Sequence, residues 1–159
     1  MSELKHPSAT RKTLDPARLA AWRAMLTAHA AAVGHIERDL SAQGLIPLTW
    51  YDVLFALSET PDQKVRLSEL AERVLLSRSG LTRLVTRLET AGLLCREACP
   101  TDGRGAYAVL TPEGAEMLRM TWPAYARGIA NHFAHHVTAD EAHIIHSALE
   151  RVIAQAKDS

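Results

Sequence analysis

Apolar residues recur at every third or fourth position in four stretches of the chain, the spacing that places them on one face of an α-helix. One stretch covers residues 15–42, a shorter one covers residues 78–91, and two more follow within residues 112–159. Residues that favour a first helical turn mark the predicted starts of helices: Asp15-Pro16, Thr49 with Asp52, Thr111-Pro112, and Thr138 with Glu141. The pattern therefore predicts a mainly α-helical protein.

Residues 67–91 predict two short helices joined by a turn of only a few residues, the arrangement of a helix-turn-helix. Ser68 and Ser77 stand where a side-chain hydroxyl caps the first turn of a helix. In the second helix four apolar residues share one face: Leu81, Leu84, Val85 and Leu88. Gly92 follows at the position where glycine ends a helix in the left-handed conformation.

A β-hairpin is expected next, with strands at residues 93–98 and 106–110 around a turn-rich tip. Residues 65–67 are expected to add a short strand. The predicted fold class is α+β, mainly α with a small β-wing: a winged helix-turn-helix core flanked by long helices. We expect a mobile N-terminal tail at 1–14 and one domain at 15–159, with the winged helix-turn-helix at 48–111 and flanking helices at 15–47 and 112–159.

The polar side of the second predicted helix carries hydroxyl and guanidinium groups: Arg78, Ser79, Thr82, Arg83, Thr86 and Arg87. Arginine pairs with guanine through two hydrogen bonds in the major groove, and hydroxyls reach phosphates or bases. Arg104, at the tip of the wing, suits the narrow minor groove. An ordinary solvated helix face is the alternative explanation of these charges.

The distribution of charge along the chain favours a DNA-binding surface on this helix and the wing. Lys and Arg together number 18, as do Asp and Glu, so the chain as a whole has no basic excess. Residues 64–104, however, hold eight Lys/Arg and five Asp/Glu. The basic surplus lies where a DNA-binding surface needs it.

The ordered set of helix, turn, glycine, strand and wing resembles the MarR family of bacterial transcriptional regulators. The matching residues are LSELAERVLLSRSGLTRLVTRLETAGLLCRE from residue 67, Asp102-Gly103-Arg104 in the wing, and LTPEGAEML from residue 110. The resemblance implies that Arg104 enters the minor groove and that Asp102 steadies it. Together with the helix face above, Ser68, Ser77, Asp102 and Arg104 complete the expected DNA-binding residues.

The resemblance also implies a homodimer in which the first helix and the last two helices of two subunits intertwine. That arrangement would cover the apolar faces of these helices, which exceed what a small winged helix can bury. A monomer with a helical cap is the alternative.

Members of this family bind small molecules, often aromatic carboxylates or phenols, where the first, second and fifth helices meet the winged helix. The residues expected at that position are Trp22, Arg23, His29, Trp50, Tyr51 and Trp122. Arg23 would pair with a carboxylate, and the aromatic rings would stack on a ligand ring. The alternative is that the aromatic residues are core and His29 is a hydrogen-bonded histidine.

Two further groups of residues leave a sensing role open. Cys95 and Cys99 lie too far apart along a strand for an internal disulfide without a bulge, and they are either redox sensors or incidental thiols. His132 and His136 are four residues apart on a predicted helix, a spacing that suits zinc, in a histidine-rich segment that ends at His146. A zinc site would need further ligands, and no cofactor is expected.

Motifs of catalysis and of membrane insertion are missing from the sequence. There is no Gly-rich phosphate loop, no nucleophile elbow and no HExxH, and no signal-peptide pattern or long apolar run, which favours a cytoplasmic protein. We therefore predict a non-enzymatic, homodimeric, ligand-responsive repressor that binds a pseudo-palindromic operator. The alternatives are a zinc- or redox-responsive regulator of the same fold, and a winged-helix protein-interaction module that does not bind DNA.

Overall fold

The computed structural model describes residues 14–74, 78–101 and 103–157. Over these ranges the elements follow in the order α1 (Pro16–Ala42), α2 (Leu48–Ser58), β1 (Lys64–Arg66), α3 (Leu67–Arg73), α4 (Arg78–Thr90), β2 (Leu94–Ala98), β3 (Ala106–Leu110), α5 (Pro112–His132), a short 3-10 helix (Ala134–His136) and α6 (Ala139–Lys157). The tail predicted at residues 1–14 lies, except for Leu14, outside the described residues.

The three strands form one antiparallel sheet with the order β1-β3-β2. β3 is central, because Ala108 pairs with Val65 on one side and with Arg96 on the other. The short strand predicted at residues 65–67 is present as β1, one residue earlier. A small antiparallel sheet in a mainly helical chain confirms the predicted fold class.

The main core lies between α2, α3, α4 and the sheet. The predicted apolar stripe of α4 is buried: Leu81 and Leu84 are 3% and 8% exposed, and Val85 and Leu88 are fully buried. Gly92 has a φ of 74°, which confirms that it ends α4 in the left-handed conformation. One face of α4 is therefore fixed by the core, and its opposite face lies outside.

α1 packs along α5, and together with the start of α2 they form a second, smaller core. Its buried residues are Ile36, Leu40, Leu48 and Ala124. Beyond this core, α1, α5 and α6 leave large apolar side chains exposed, including Trp22 at 53%, Trp122 at 51% and Ile153 at 46%. These three helices therefore carry apolar surface that the described part of the chain does not cover.

Three predicted helix starts are confirmed. Asp15 and Thr111 each accept a 3.1 Å hydrogen bond from the backbone N–H three residues further on. The Thr138 N–H donates to the Glu141 carboxylate at 2.9 Å, and the Glu141 N–H donates to the Thr138 hydroxyl at 3.3 Å. This reciprocal capping box holds the pKa of Glu141 below its ordinary value, because the backbone N–H and the hydroxyl of Thr138 both donate to its carboxylate.

The cap predicted from Thr49 and Asp52 is wrong. α2 begins two residues earlier than expected, at Leu48, and the residue before it is Pro47. The Leu48 N–H donates to a carboxylate oxygen of Glu37, on α1, at 2.8 Å. The first turn of α2 is therefore capped from another helix.

Candidate nucleic-acid interface

α4 turns its hydroxyl- and arginine-bearing face to solvent. The predicted residues that are exposed on it are Ser79, Thr82, Arg83, Thr86 and Arg87. Arg78 is the first residue of the helix, but its side chain is outside the described part of the structure, and so are Ser77 and Asp102 altogether. The predicted face is thus one continuous surface along a helix of 13 residues.

α3 lies beside the first turns of α4. It begins at Leu67, directly after β1, so the prediction that Ser68 caps it is wrong; the chain passes from strand to helix without a side-chain cap, and Ser68 lies in the first helical turn. Ser68 and Leu67 line a shallow pocket together with Leu81 and Thr82 of α4. The structure therefore places Ser68 next to the exposed face of α4.

Arg87, in the last turn of α4, contacts α2. Its guanidinium carbon lies 5.8 Å from the centre of the Trp50 ring, within the range of a cation–π contact. Trp50 itself packs partly buried against the main core. Trp50, which the sequence predicted to bind a ligand, therefore contacts an arginine at the edge of the α4 face.

Arg96, on β2, joins α4 to the wing, and sequence reasoning missed it. The Glu89 carboxylate accepts hydrogen bonds from the Arg96 backbone N–H, at 3.1 Å, and from its guanidinium. The same guanidinium donates to the Thr86 hydroxyl at 2.8 Å. Spacing along the chain carries no signal of this network, because it depends on how the strand lies against the helix.

Arg66, on β1, is a second residue that sequence reasoning missed. It donates to the Cys99 sulfur at 3.2 Å and to the Thr101 hydroxyl at 3.4 Å. Its guanidinium carbon also lies 5.6 Å from the centre of the Tyr107 ring. Arg66 thus joins β1 to the base of the wing, whose tip carries the exposed Arg104.

The structure brings together only part of the predicted ligand-binding set. Tyr51, which is buried, meets Tyr125 of α5 edge-on, with ring centres 5.1 Å apart. Trp122 meets Tyr125 in the same way at 6.0 Å. The predicted residues on α1 lie exposed along that helix: Trp22, Arg23 and His29.

Two carboxylates lie at this junction of α1, α2 and α5. Partial desolvation raises the pKa of Asp52, and the charge of Glu37 raises it further. Desolvation also raises the pKa of Tyr51 and of Tyr125, with the charge of Asp52 as a further cause in both. The junction therefore combines aromatic surface with negative charge.

The zinc prediction rested on a helical pair that the structure does not contain. α5 ends at His132, and His136 belongs to the following 3-10 helix, because the backbone leaves the α conformation at Phe133. The His132 ring stacks on His35 at 4.7 Å, and its Nε2 lies 3.6 Å from an Asp39 carboxylate oxygen. Among the described residues, no group of three or more His, Cys, Asp or Glu side chains is placed to hold a metal ion.

Cys95 and Cys99 are not joined in a disulfide; Cys99 is buried at the base of the wing and Cys95 is half-buried.

Within the described ranges, every helix is too short or too polar to cross a membrane.

Comparisons with known proteins agree on one family. The profile of the MarR family matches residues 43–105. The chain is 31% identical to the HTH-type transcriptional regulator MhqR of Bacillus subtilis (strain 168) over 123 residues, which is 77% of this chain and 82% of that protein. Two solved MarR family regulators from Streptomyces coelicolor are similar in structure. AbsC has a TM-score of 0.83 at 30% identity, covering 92% of this chain and 98% of AbsC. Sco3205, solved in complex with DNA, has a TM-score of 0.81 at 31% identity, covering 90% and 89%.

Proposed function

The chain belongs to the MarR family of transcriptional regulators, and from that premise we propose that it is a homodimeric repressor that binds a pseudo-palindromic operator and leaves it when a small aromatic or phenolic ligand binds. One observation carries the DNA-binding part of this proposal. The exposed hydroxyls and arginines of α4 lie opposite a buried apolar stripe, beside a wing with an arginine at its tip. A helix fixed in this way presents its polar face to a major groove.

In the proposed complex, α4 enters the major groove and the wing lies over the adjacent minor groove. Arg83, on the exposed face, pairs with a base, and Arg104 enters the minor groove. Arg78 and Arg87 bind phosphates. Around them we place the remaining polar residues of the interface: Ser68, Ser77, Ser79, Thr82, Thr86 and Asp102.

The uncovered apolar surface of α1, α5 and α6 supports the homodimer. We assign residues 15–47 and 112–159 to dimerisation and residues 48–111 to DNA binding. In a symmetric dimer the two α4 helices enter successive major grooves about 34 Å apart, so the operator repeats its half-site in inverted orientation.

The ligand is proposed to bind where α1, α2 and α5 meet, around Tyr51 and Trp122. The remaining predicted ligand-binding residues stay a prediction from the sequence, because the structure does not gather them with these two: Trp22, Arg23, His29 and Trp50. This junction touches both the dimerisation helices and the DNA-binding part. A ligand there releases DNA by binding one dimer conformation better than the other. Calorimetric titration with aromatic acids and phenols, with and without operator, tests this; equal affinity in both titrations would contradict it.

The DNA-binding part is tested by gel-shift titration on operator DNA selected by the wild-type protein. Arg83→Ala should weaken binding by about 1–3 kcal/mol and relax the base preference, since one guanine contact is lost. Arg104→Ala should also weaken binding, because the proposed contact of Arg104 in the minor groove is lost. Arg119→Ala, which removes an exposed arginine of α5 that pairs with Glu116 and is not among the proposed DNA-binding residues, is the control. Unchanged affinity in the Arg83→Ala/Arg104→Ala double variant would exclude this surface.

A further inference from the structure

The link between Arg96 and α4 holds the backbone of the wing as well as a side chain. The Glu89 carboxylate accepts a hydrogen bond from the Arg96 main-chain N–H, so it connects β2 itself to α4. The ion pair is partly shielded from water, with 29% of the Arg96 side chain and 37% of the Glu89 side chain exposed. Shielding of this kind strengthens a charged hydrogen bond relative to one on the open surface.

The Thr86 hydroxyl makes both of its hydrogen bonds to groups of the protein. It donates its proton to the Thr82 carbonyl at 2.9 Å and accepts from Arg96 at 2.8 Å. A hydroxyl has a single proton to donate. In this arrangement Thr86 therefore cannot donate to a phosphate, and it serves as an attachment point for Arg96 on the DNA-facing side of α4.

We propose that Arg96 is a positioning residue for DNA binding: by bridging Glu89 and Thr86 from β2, it fixes α4 relative to the wing that carries Arg104. The inference rests on the proposed function, since it assumes that both elements contact DNA. α4 and the wing do not need Arg96 in order to form, because α4 is held by its buried stripe and β2 by five residue pairs with β3. Loss of Arg96 should therefore loosen their relative placement and leave each element folded.

A double-mutant cycle tests whether Arg96 acts through the wing. Arg96→Gln should weaken operator binding by at least about fivefold in the wild-type background, a loss in the range expected when one residue of a network is removed. When Arg104 is already alanine, the same change should cost less than about twofold, because there is no wing contact left to misplace. Additive losses would mean that Arg96 acts independently of the wing and would overturn the proposal.

Glu89→Gln separates positioning from direct phosphate contact. This change raises the net charge by one and removes one of the two carboxylate acceptors that hold Arg96, so a direct contact of Arg96 with a phosphate would gain affinity for DNA. Positioning predicts the opposite, a loss similar to that of Arg96→Gln. Glu97→Gln on the same strand adds the same charge near Lys64 and should not weaken binding. Arg96→Lys should fail to restore affinity, because an ammonium group does not reproduce the two-acceptor fork of a guanidinium.

Hydrogen–deuterium exchange of the protein without DNA separates this inference from the proposed function. Arg96→Gln should raise exchange in peptides that cover residues 94–110, whereas Arg104→Ala should leave it unchanged. If the wild-type protein bound no DNA but this difference appeared, the proposed function would fail and the link between α4 and the wing would stand. Unchanged exchange in Arg96→Gln would overturn the link itself.

Discussion

At the scale of single residues, helix starts differ in whether their caps are local. Asp15, Thr111 and Thr138 could be predicted, because each cap lies three residues from the N–H groups that it serves. Glu37 could not, because it caps α2 from α1, eleven residues upstream. A local pattern carries no information about a contact that exists only once two helices have packed.

Replacing Glu37 by alanine should lower the free energy of unfolding by about 1 kcal/mol, since the Leu48 N–H loses its acceptor. Glu37→Gln is the matched control, because its amide oxygen can still accept that hydrogen bond. Urea unfolding measures both variants. If the two substitutions cost the same, the charge of Glu37 and not its hydrogen bond would matter at this position.

Asp52→Asn should stabilise the protein at neutral pH. The pKa of Asp52 is raised above its ordinary value of 3.8 by desolvation and then by Glu37. A carboxyl whose pKa is raised on folding favours the native state below its unfolded pKa, and that contribution is lost as the pH rises through the folded value. The gain from Asp52→Asn should therefore be present at pH 7 and vanish as the pH falls towards 3.8.

Thermal unfolding of Asp52→Asn and of the wild type at several pH values checks this dependence. Asp62→Asn, which changes an exposed aspartate in the turn after α2, serves as the control. A stabilisation that persisted unchanged below the ordinary pKa of aspartate would assign the effect to something other than the charge of Asp52.

At the scale of elements, the start of α5 packs closely on the turn that follows α4. The Thr111 hydroxyl donates to the Gly92 carbonyl at 2.7 Å, and a Cβ on Gly114 would lie 2.0 Å from the Leu93 carbonyl oxygen. The sequence predicted the Thr111-Pro112 start and the Gly92 ending. It did not predict the close approach at Gly114, because nothing in the spacing of residues reports the distance between two elements.

Gly114→Ala should lower the free energy of unfolding by about 3 kcal/mol, because the added methyl group meets backbone that cannot move aside. Gly128→Ala is the matched comparison: its Cβ would lie 2.7 Å from Ile36 Cγ1, a side-chain atom that can shift, so it should cost less. Gly34→Ala meets its nearest neighbour at 3.7 Å and should be neutral or stabilising by up to about 1 kcal/mol. Denaturant unfolding should rank the three in this order; a cost for Gly114→Ala no larger than for Gly128→Ala would contradict it.

At the scale of the whole molecule, the winged helix could be predicted because its pieces follow one another within residues 48–111 and most of them have a local signature. The positions of the predicted ligand-binding residues could be predicted only in part. Tyr51 and Trp122 meet around Tyr125, whereas Trp22 on α1 is exposed. Helical spacing predicts which residues share a face of α1, but it does not predict whether that face packs against the same chain or against another chain.

A homodimer built on the exposed apolar faces should separate when charges are placed on α6. Leu149 and Ile153 are 36% and 46% exposed, one turn apart on that helix. The double substitution Leu149→Asp/Ile153→Asp puts two carboxylates into the proposed interface, where burying them without partners is unfavourable. Neither residue belongs to the buried core of the winged helix, so the monomer should keep that fold.

Light scattering at micromolar concentration should find a dimer for the wild type and a monomer for the double variant, with helical circular dichroism largely retained. Operator affinity should fall steeply, because a monomer engages one half-site and loses the gain of linking two sites. Ser147→Asp, an exposed polar position on the same helix, adds a charge outside the apolar face and should leave the dimer intact. A double variant that stayed dimeric, or a monomer that kept wild-type affinity for the full operator, would show that α6 does not hold the two DNA-binding units together.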